Sequence, residues 1–447
     1  MRRGQVLSPA LVIALLASVL AGCVGSDDDR LPAAETPGYP VLEDPLAALA
    51  AGNATSNLHL LGKWDDGGNQ EIDAWGDFLF VMKNPRVVIL NVSDPADIRQ
   101  VGEITLPGVK DVKVSNDGKW AFVGNADAQG DHPLLPTTNS GFYVLDVSDK
   151  TNPTLKSFLP VGPRRGPHMV FYHETASGDE LVFGANADVS INRFDRTTGT
   201  LTELARYQPD VVTDWNRDPQ VFDVYYQGYA HDMFVMDDPV DNKTLMYVAN
   251  WDAGLRIVDV SDPANPVELG KWMDYPDGHA GNLHTVSTLW IGDRRITVGS
   301  PEIGFSVVGG YHYAMGTEWT GVYVWDATDP ADIKLLGTWS NPRDECALAK
   351  RDLPGPLAEG ATSSHNVQLE AGRVYLAHYD CGVWVLDVST PELQAAPELL
   401  AYHDEDGMHT WDVVVHRGAM MLGDATGVIA LHLPLDTLGE AGLSSRA

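Results

Sequence analysis

Three features of the sequence predict an all-β fold, a seven-bladed β-propeller of four-stranded antiparallel blades. One is a line of text written repeatedly: "GLRIVDVSDPANPVELGKW" at 254–272 returns as "GVYVWDATDPADIKLLGTW" at 321–339, "GFYVLDVSDKTNPTLKSFL" at 141–159 and "VVILNVSDPADIRQVGEI" at 87–104. A looser copy, "GVWVLDVSTPELQAAPELLAY", occupies 382–402. The second is a pair of strand-like runs upstream of each copy. The third is an early segment, "LHLLGKW" at 58–64, that reads as the end of a copy without its beginning. Repetition of this kind marks units that cannot bury their own faces and must stack.

The elements follow in order along the 447 residues. Residues 1–22 have the form of a signal peptide, with Arg2 and Arg3 ahead of a short apolar run from Ala10 to Ala21. The run ends in "LAGC", a lipobox-like sequence in which Cys23 would be lipid-modified. Residues 23–55, acidic and then rich in Pro and Ala, are expected to form a solvated, flexible tether. The propeller is expected over 56–437 and a short tail over 438–447.

Within each copy, "GLRIVDV" or "GVWVLDV" alternates apolar and β-branched residues as a sheet strand does. "SDPANP" follows as a turn, because Ser and Asp side chains bond local backbone N–H groups and Pro fixes φ. "VELGKW" is then a second strand. Upstream of Gly382, "NVQL", "EAG" and "RVYLAH" read as strand, turn and strand. Four strands per unit is the grammar of a propeller blade. Counting gives seven units whose inner strands begin near Glu71, Asp111, His168, His231, His284, His365 and His409. The seventh stops at "GVIALHL", and Leu58–Trp64 is predicted to supply its missing outer strand and close the ring, which removes exposed sheet edges.

The runs "LRIVDV", "FYVLDV" and "VWVLDV" resemble the LVIVD-repeat propellers, over roughly residues 56–435. The resemblance implies the fold and little about activity.

Formal net charge is −32, from 30 Lys and Arg against 62 Asp and Glu. That argues against a nucleic-acid partner, which needs clustered cations. Three cysteines are present. With Cys23 assigned to lipid, an exported location makes a Cys346–Cys381 disulfide natural, against the alternative of two free thiols.

In a blade with strands A to D, the B–C and D–A connections share one rim. The "SDPxxP" turns are C–D connections on the other, where a structural role is expected. All the long insertions fall on the first rim, among them 124–141, 300–321 and 344–365. Long connections on a rigid scaffold are where function usually sits. Cys346 and Cys381 fall there too.

Five inner strands open with histidine: "GPHMV" (His168), "YAHDM" (His231), "NLHTV" (His284), "SSHNV" (His365) and "GMHTW" (His409). For His409 the spacing is off by two, and Trp411 takes the corresponding slot. Imidazoles converging on an axis suit a transition metal such as copper, iron or zinc. The competing reading is a repeat-consensus residue that hydrogen-bonds the neighbouring blade, and Lys110 at the same ring position speaks for it. Asp66, Asp277 and Asp406, each near a glycine, and Asn125, Asn186 and Asn250 read as turn formers rather than ligands. No CxxC, HExxH, GxSxG or glycine-rich phosphate loop is present. Two functions therefore stand: a lipid-anchored, extracytoplasmic binding module for a protein or other extracellular ligand, touching the membrane only through its lipid, or a metal-dependent enzyme such as an oxidoreductase built on the five histidines.

Overall fold

A computed structural model describes residues 45–52, 57–68, 71–126, 140–161, 166–209, 229–251, 253–276, 279, 282–302, 304–308, 311–315, 319–347 and 362–432. Cys23, Asp277, the signal-like segment and the tail from 438 lie outside the described residues. The helix Pro45–Ala50 falls within the segment expected to be a tether, and its Leu49 packs against blades five and six. Among the described residues no helix is long and apolar enough to cross a membrane.

Seven four-stranded antiparallel sheets follow one another around the chain. Blade one spans Ile72–Thr105, blade two Val109–Pro160, blade three Met169–Tyr207 and blade four Asp232–Trp272. Blade five spans Leu283–Ser340 and carries an inserted hairpin, Gly304–Val308 with Tyr311–Met315, between its second and third strands. Blade six spans Val367–His403. Blade seven takes three strands from Thr410–His432 and its outer strand from His59–Trp64, paired His59 to His432 through Trp64 to Val428. The predicted closure is therefore present. Blade three, whose repeat text is degenerate, has a complete sheet nonetheless.

The core is not central. Seven hydrophobic clusters lie between successive blades: Phe80 and Val112 between one and two, Phe122 and Val182 between two and three, Phe183 and Val248 between three and four. Tyr247 and Trp325 join four to five, Val298 and Trp384 five to six, Val385 and Leu422 six to seven, and Val81 and Met421 seven to one. A single blade is apolar on both faces, so only a closed ring satisfies every sheet.

Two recurring devices set the blade spacing. The "D-x-S" of each copy is an Asx turn: Asp146 accepts from the Ser148 N–H, Asp259 from Ser261, Asp326 from Thr328 and Asp387 from Ser389, at 2.8–3.0 Å. The outer strand has a bulge next to a small residue, which is Gly62, Gly102, Ser157, Ala205, Gly270, Gly337 or Ala401 in the seven blades. The turn of the next blade sits directly on it. A Cβ at Gly270 would stand 1.8 Å from the Pro330 carbonyl oxygen, and one at Gly62 2.4 Å from that of Pro95. The "LGxW" of the repeat is thus a contact between blades.

Candidate functional site

The inner strands bring their first residues to one end of the channel. In blades two, five and seven the pairing register skips Lys110, His284 and Trp411, so a bulge stands at the same place in each. His231 Nδ1 meets the His284 carbonyl oxygen at 3.1 Å, and His365 Nδ1 meets that of Trp411 at 2.6 Å. His231 and His365 thus bond the neighbouring blade, and Trp411 takes the seventh-blade slot that the spacing assigned to it.

Four imidazoles form a ladder around the mouth. Ring centroids lie 4.8 Å apart for His168 and His231, 3.9 Å for His231 and His284, and 4.1 Å for His284 and His365. Tyr379 continues it, 4.8 Å from His365 and stacked at 4.7 Å on His409. All five predicted histidines are therefore gathered at one mouth. His409 stands apart from the other four, however, because its Nδ1 pairs with Asp380 and Tyr379 and Trp411 lie between it and His365.

Glu302 joins the ladder from the blade-five B–C connection. Its Oε2 lies 3.4 Å from His284 Nε2, and its Oε1 accepts the Tyr379 hydroxyl. One ligand atom from each of His231, His284 and Glu302 lies within 4.8 Å of the other two. Around them stand Trp251, stacked 5.1 Å from His231, and Trp411, 5.4 Å from His365.

One residue further along the inner strands lies an acidic layer. Asp111 accepts from the Val170 N–H of blade three, Asp412 from the Ile72 N–H of blade one, and Asp232 from the Thr285 hydroxyl of blade five. Asn366 donates to Glu71 and Asp412. Lys113 pairs with Asp111 at 2.7 Å. These bonds tie inner strands together across blades, which accounts for charged residues at buried positions.

Burial dominates the electrostatics. It pushes His231 and His284 well below the usual imidazole range, helped by neighbouring imidazoles, and His365 down to about 3. These three imidazoles are therefore neutral near pH 7. Burial pushes Glu302 up to about 7 against the Tyr379 hydrogen bond, and Asp232 likewise to about 7. Glu71 is driven well above the carboxylate range by burial and by the Asp412 and Asp111 charges. Burial opposes the charge on Lys113, but Asp111, Asp73, Asp412 and Glu71 outweigh it and hold that ammonium protonated.

Sequence reasoning missed Glu302 and Tyr379. The signal was present in the repeat alignment. Ala126, Ala187, Trp251, Glu302, Tyr379 and Ala425 fill one slot at the start of successive B–C connections, and the departures from alanine mark the blades that build the site. The side chains read as turn formers reach beyond their own turns, and Asn125 donates to the Tyr143 hydroxyl. Asn186 donates to the Gly166 carbonyl and accepts from Tyr229, while Asp66 pairs with Lys83 rather than entering the mouth.

On the same rim Cys346 and Cys381 form a disulfide, with Cα atoms 6.2 Å apart. It fastens the loop between blades five and six to the B–C connection of blade six. The Cys346 carbonyl also accepts from Thr320, and the Cys381 carbonyl from Trp384.

The LVIVD-repeat family model matches residues 137–159 and 245–274, which include the third and fourth strands of blades two and four. No curated protein matches the chain in sequence. Among solved structures the chain is similar to Sqt1 of Saccharomyces cerevisiae, at 9% identity over 84% of this chain and 99% of that one, with a TM-score of 0.52. It is similar to U3-55K at 12% over 84% and 98%, with a TM-score of 0.54. The RRP9 WD40 repeats match at 11% over 84% and 97%, also with a TM-score of 0.54. At such identities the likeness concerns the fold alone. With seven four-stranded blades and a ring closed by its own early strand, the chain is a seven-bladed β-propeller that carries LVIVD repeats.

Proposed function

We propose that this protein is exported, held at the membrane by a lipid on Cys23, and binds a protein or other extracellular ligand through the rim that carries its long connections. The observation that supports this reading is the inequality of the two rims. On one, the C–D connections are short Asx turns that pack against the next blade and serve spacing. On the other lie the blade-five hairpin insertion, the disulfide-fastened loop and the aromatic and histidine-lined mouth. A rigid ring with variable connections on one side is a general solution for presenting a binding surface. The net charge of −32 directs the search away from polyanions.

The test places a photo-crosslinking residue at Asp406, exposed on the loop-rich rim, or at Asp262, exposed on the turn rim, in cells of the source organism. A discrete adduct from position 406 and none from 262 is expected. Equal adducts from both, or none from either, refute the surface assignment. Separately, Cys23→Ala is expected to move the protein from the membrane fraction to the soluble one. A wild-type protein without bound fatty acid refutes the anchor.

A further inference from the structure

We propose that His231, His284 and Glu302 form a binding site for one divalent first-row transition metal ion at the mouth of the channel. The inference does not depend on the partner-binding reading above, because it uses side chains that converge on the axis rather than the surface of the loops.

The geometry is that of a metal site. A tetrahedral ion with bonds of about 2.1 Å holds its ligand atoms about 3.4 Å apart. His284 Nε2 and Glu302 Oε2 are 3.4 Å apart. His231 completes the triangle, with all three ligand atoms within 4.8 Å. An approach of at most about 1.4 Å by its ring brings the third atom to bonding distance. Two imidazoles and one carboxylate are a borderline donor set, suited to zinc, iron(II) or copper(II) and poorly suited to calcium or magnesium, which take oxygen ligands.

The surroundings orient the three ligands. His231 Nδ1 is engaged by the His284 carbonyl, leaving Nε2 as its ligand atom. The Tyr379 hydroxyl occupies Oε1 of Glu302, leaving Oε2. Partners of this kind hold ligands in place in metal centres. His284 is 1% exposed, and its Nδ1 is buried without a hydrogen-bond partner. Its ring is packed between those of His231 and His365, with centroids 3.9 and 4.1 Å away, so Nε2 stays directed at Glu302. His365 Nδ1 is fixed by the Trp411 carbonyl and its ring lies 4.1 Å from that of His284, so it flanks the site. His409, bonded to Asp380, is outside it.

The experiment uses the untagged protein, stripped with a chelator and titrated with zinc and with cobalt(II) in excess calcium. Calcium occupies weak carboxylate sites on the acidic surface. One ion per chain is expected, with a tetrahedral or five-coordinate cobalt spectrum. Glu302→Gln, close in shape and still able to accept from Tyr379, is expected to weaken binding at least about 100-fold. His284→Gln is expected to do the same, while His409→Gln leaves affinity within about twofold. Circular dichroism and melting temperature, measured on each metal-free variant, identify any that fail to fold, and Glu302→Gln alone then decides. Absence of calcium-resistant binding, or binding unchanged in Glu302→Gln, overturns the proposal. Equal losses in His409→Gln and Glu302→Gln overturn the three-residue assignment.

Discussion

Replacing Gly270 by alanine tests whether the blades are spaced by contact between an outer strand and the next turn. The added Cβ would lie 1.8 Å from the Pro330 carbonyl oxygen, 2.8 Å from its carbon and 3.2 Å from Ala331 Cα. All three atoms are backbone, so no rotamer change relieves the clash. Bringing the oxygen to ordinary contact needs a shift of about 1.4 Å, which must move the turn of blade five or the outer strand of blade four. Overpacking of this kind costs about 3 kcal/mol. A ring of roughly 380 residues has an unfolding entropy near 0.8 kcal/mol/K, so the melting temperature falls by about 4 °C. Differential scanning calorimetry measures it. The controls are the blades where nature places a side chain: Ala401→Gly and Ser157→Gly change the same position the other way and are expected to cost only about 0.5–1 kcal/mol, the ordinary penalty of glycine in a strand. If Gly270→Ala melts within 1 °C of wild type, the turn does not set the spacing.

Three further outcomes are expected. Arg295 is fully buried in blade five, with Nε 3.0 Å from Asp238 and Nη2 2.9 Å from Asp241 of blade four, so Arg295→Met strands a buried carboxylate and costs about 3 kcal/mol in denaturant unfolding. Removing the Cys346–Cys381 bond, which closes a loop across a separation of 35 residues, costs about 4 kcal/mol by the chain-entropy account, read as the difference between oxidised wild type and Cys346→Ala/Cys381→Ala. For Glu71 the folded-state pKa is raised, so its contribution is fully present below the unfolded carboxylate value and is lost as pH rises through the folded one. Glu71→Gln therefore leaves stability unchanged near pH 4 and raises it toward pH 8. A gain confined to acid pH contradicts the burial argument.

Much of the architecture was legible because it is periodic. Alternation in "LRIVDV", Asx chemistry in "VSDP" and the orphan strand "LHLLGKW" are local statements, and each has one three-dimensional consequence. The small residue of "LGxW" was visible as text but not as a contact, since its partner lies in the next blade. The site was legible by halves. His168, His231, His284 and His365 occupy one repeat position and were found by counting. Glu302 and Tyr379 were not, because they sit in connections whose lengths differ from blade to blade, and their significance comes from what their neighbours place opposite them.

The sequence by itself determined the number of blades, the closing strand and the rim on which long connections gather, since repeats specify those without coordinates, whereas the pairing of Cys346 with Cys381, left open there against two free thiols, was decided by the structure. Only the tertiary structure decided which histidines act together: His231 and His284 come within reach of one carboxylate, while His409 turns to Asp380. The physical reason is that contacts between neighbouring blades orient the rings, through hydrogen bonds that join residues as far apart as His231 and His284, or His365 and Trp411.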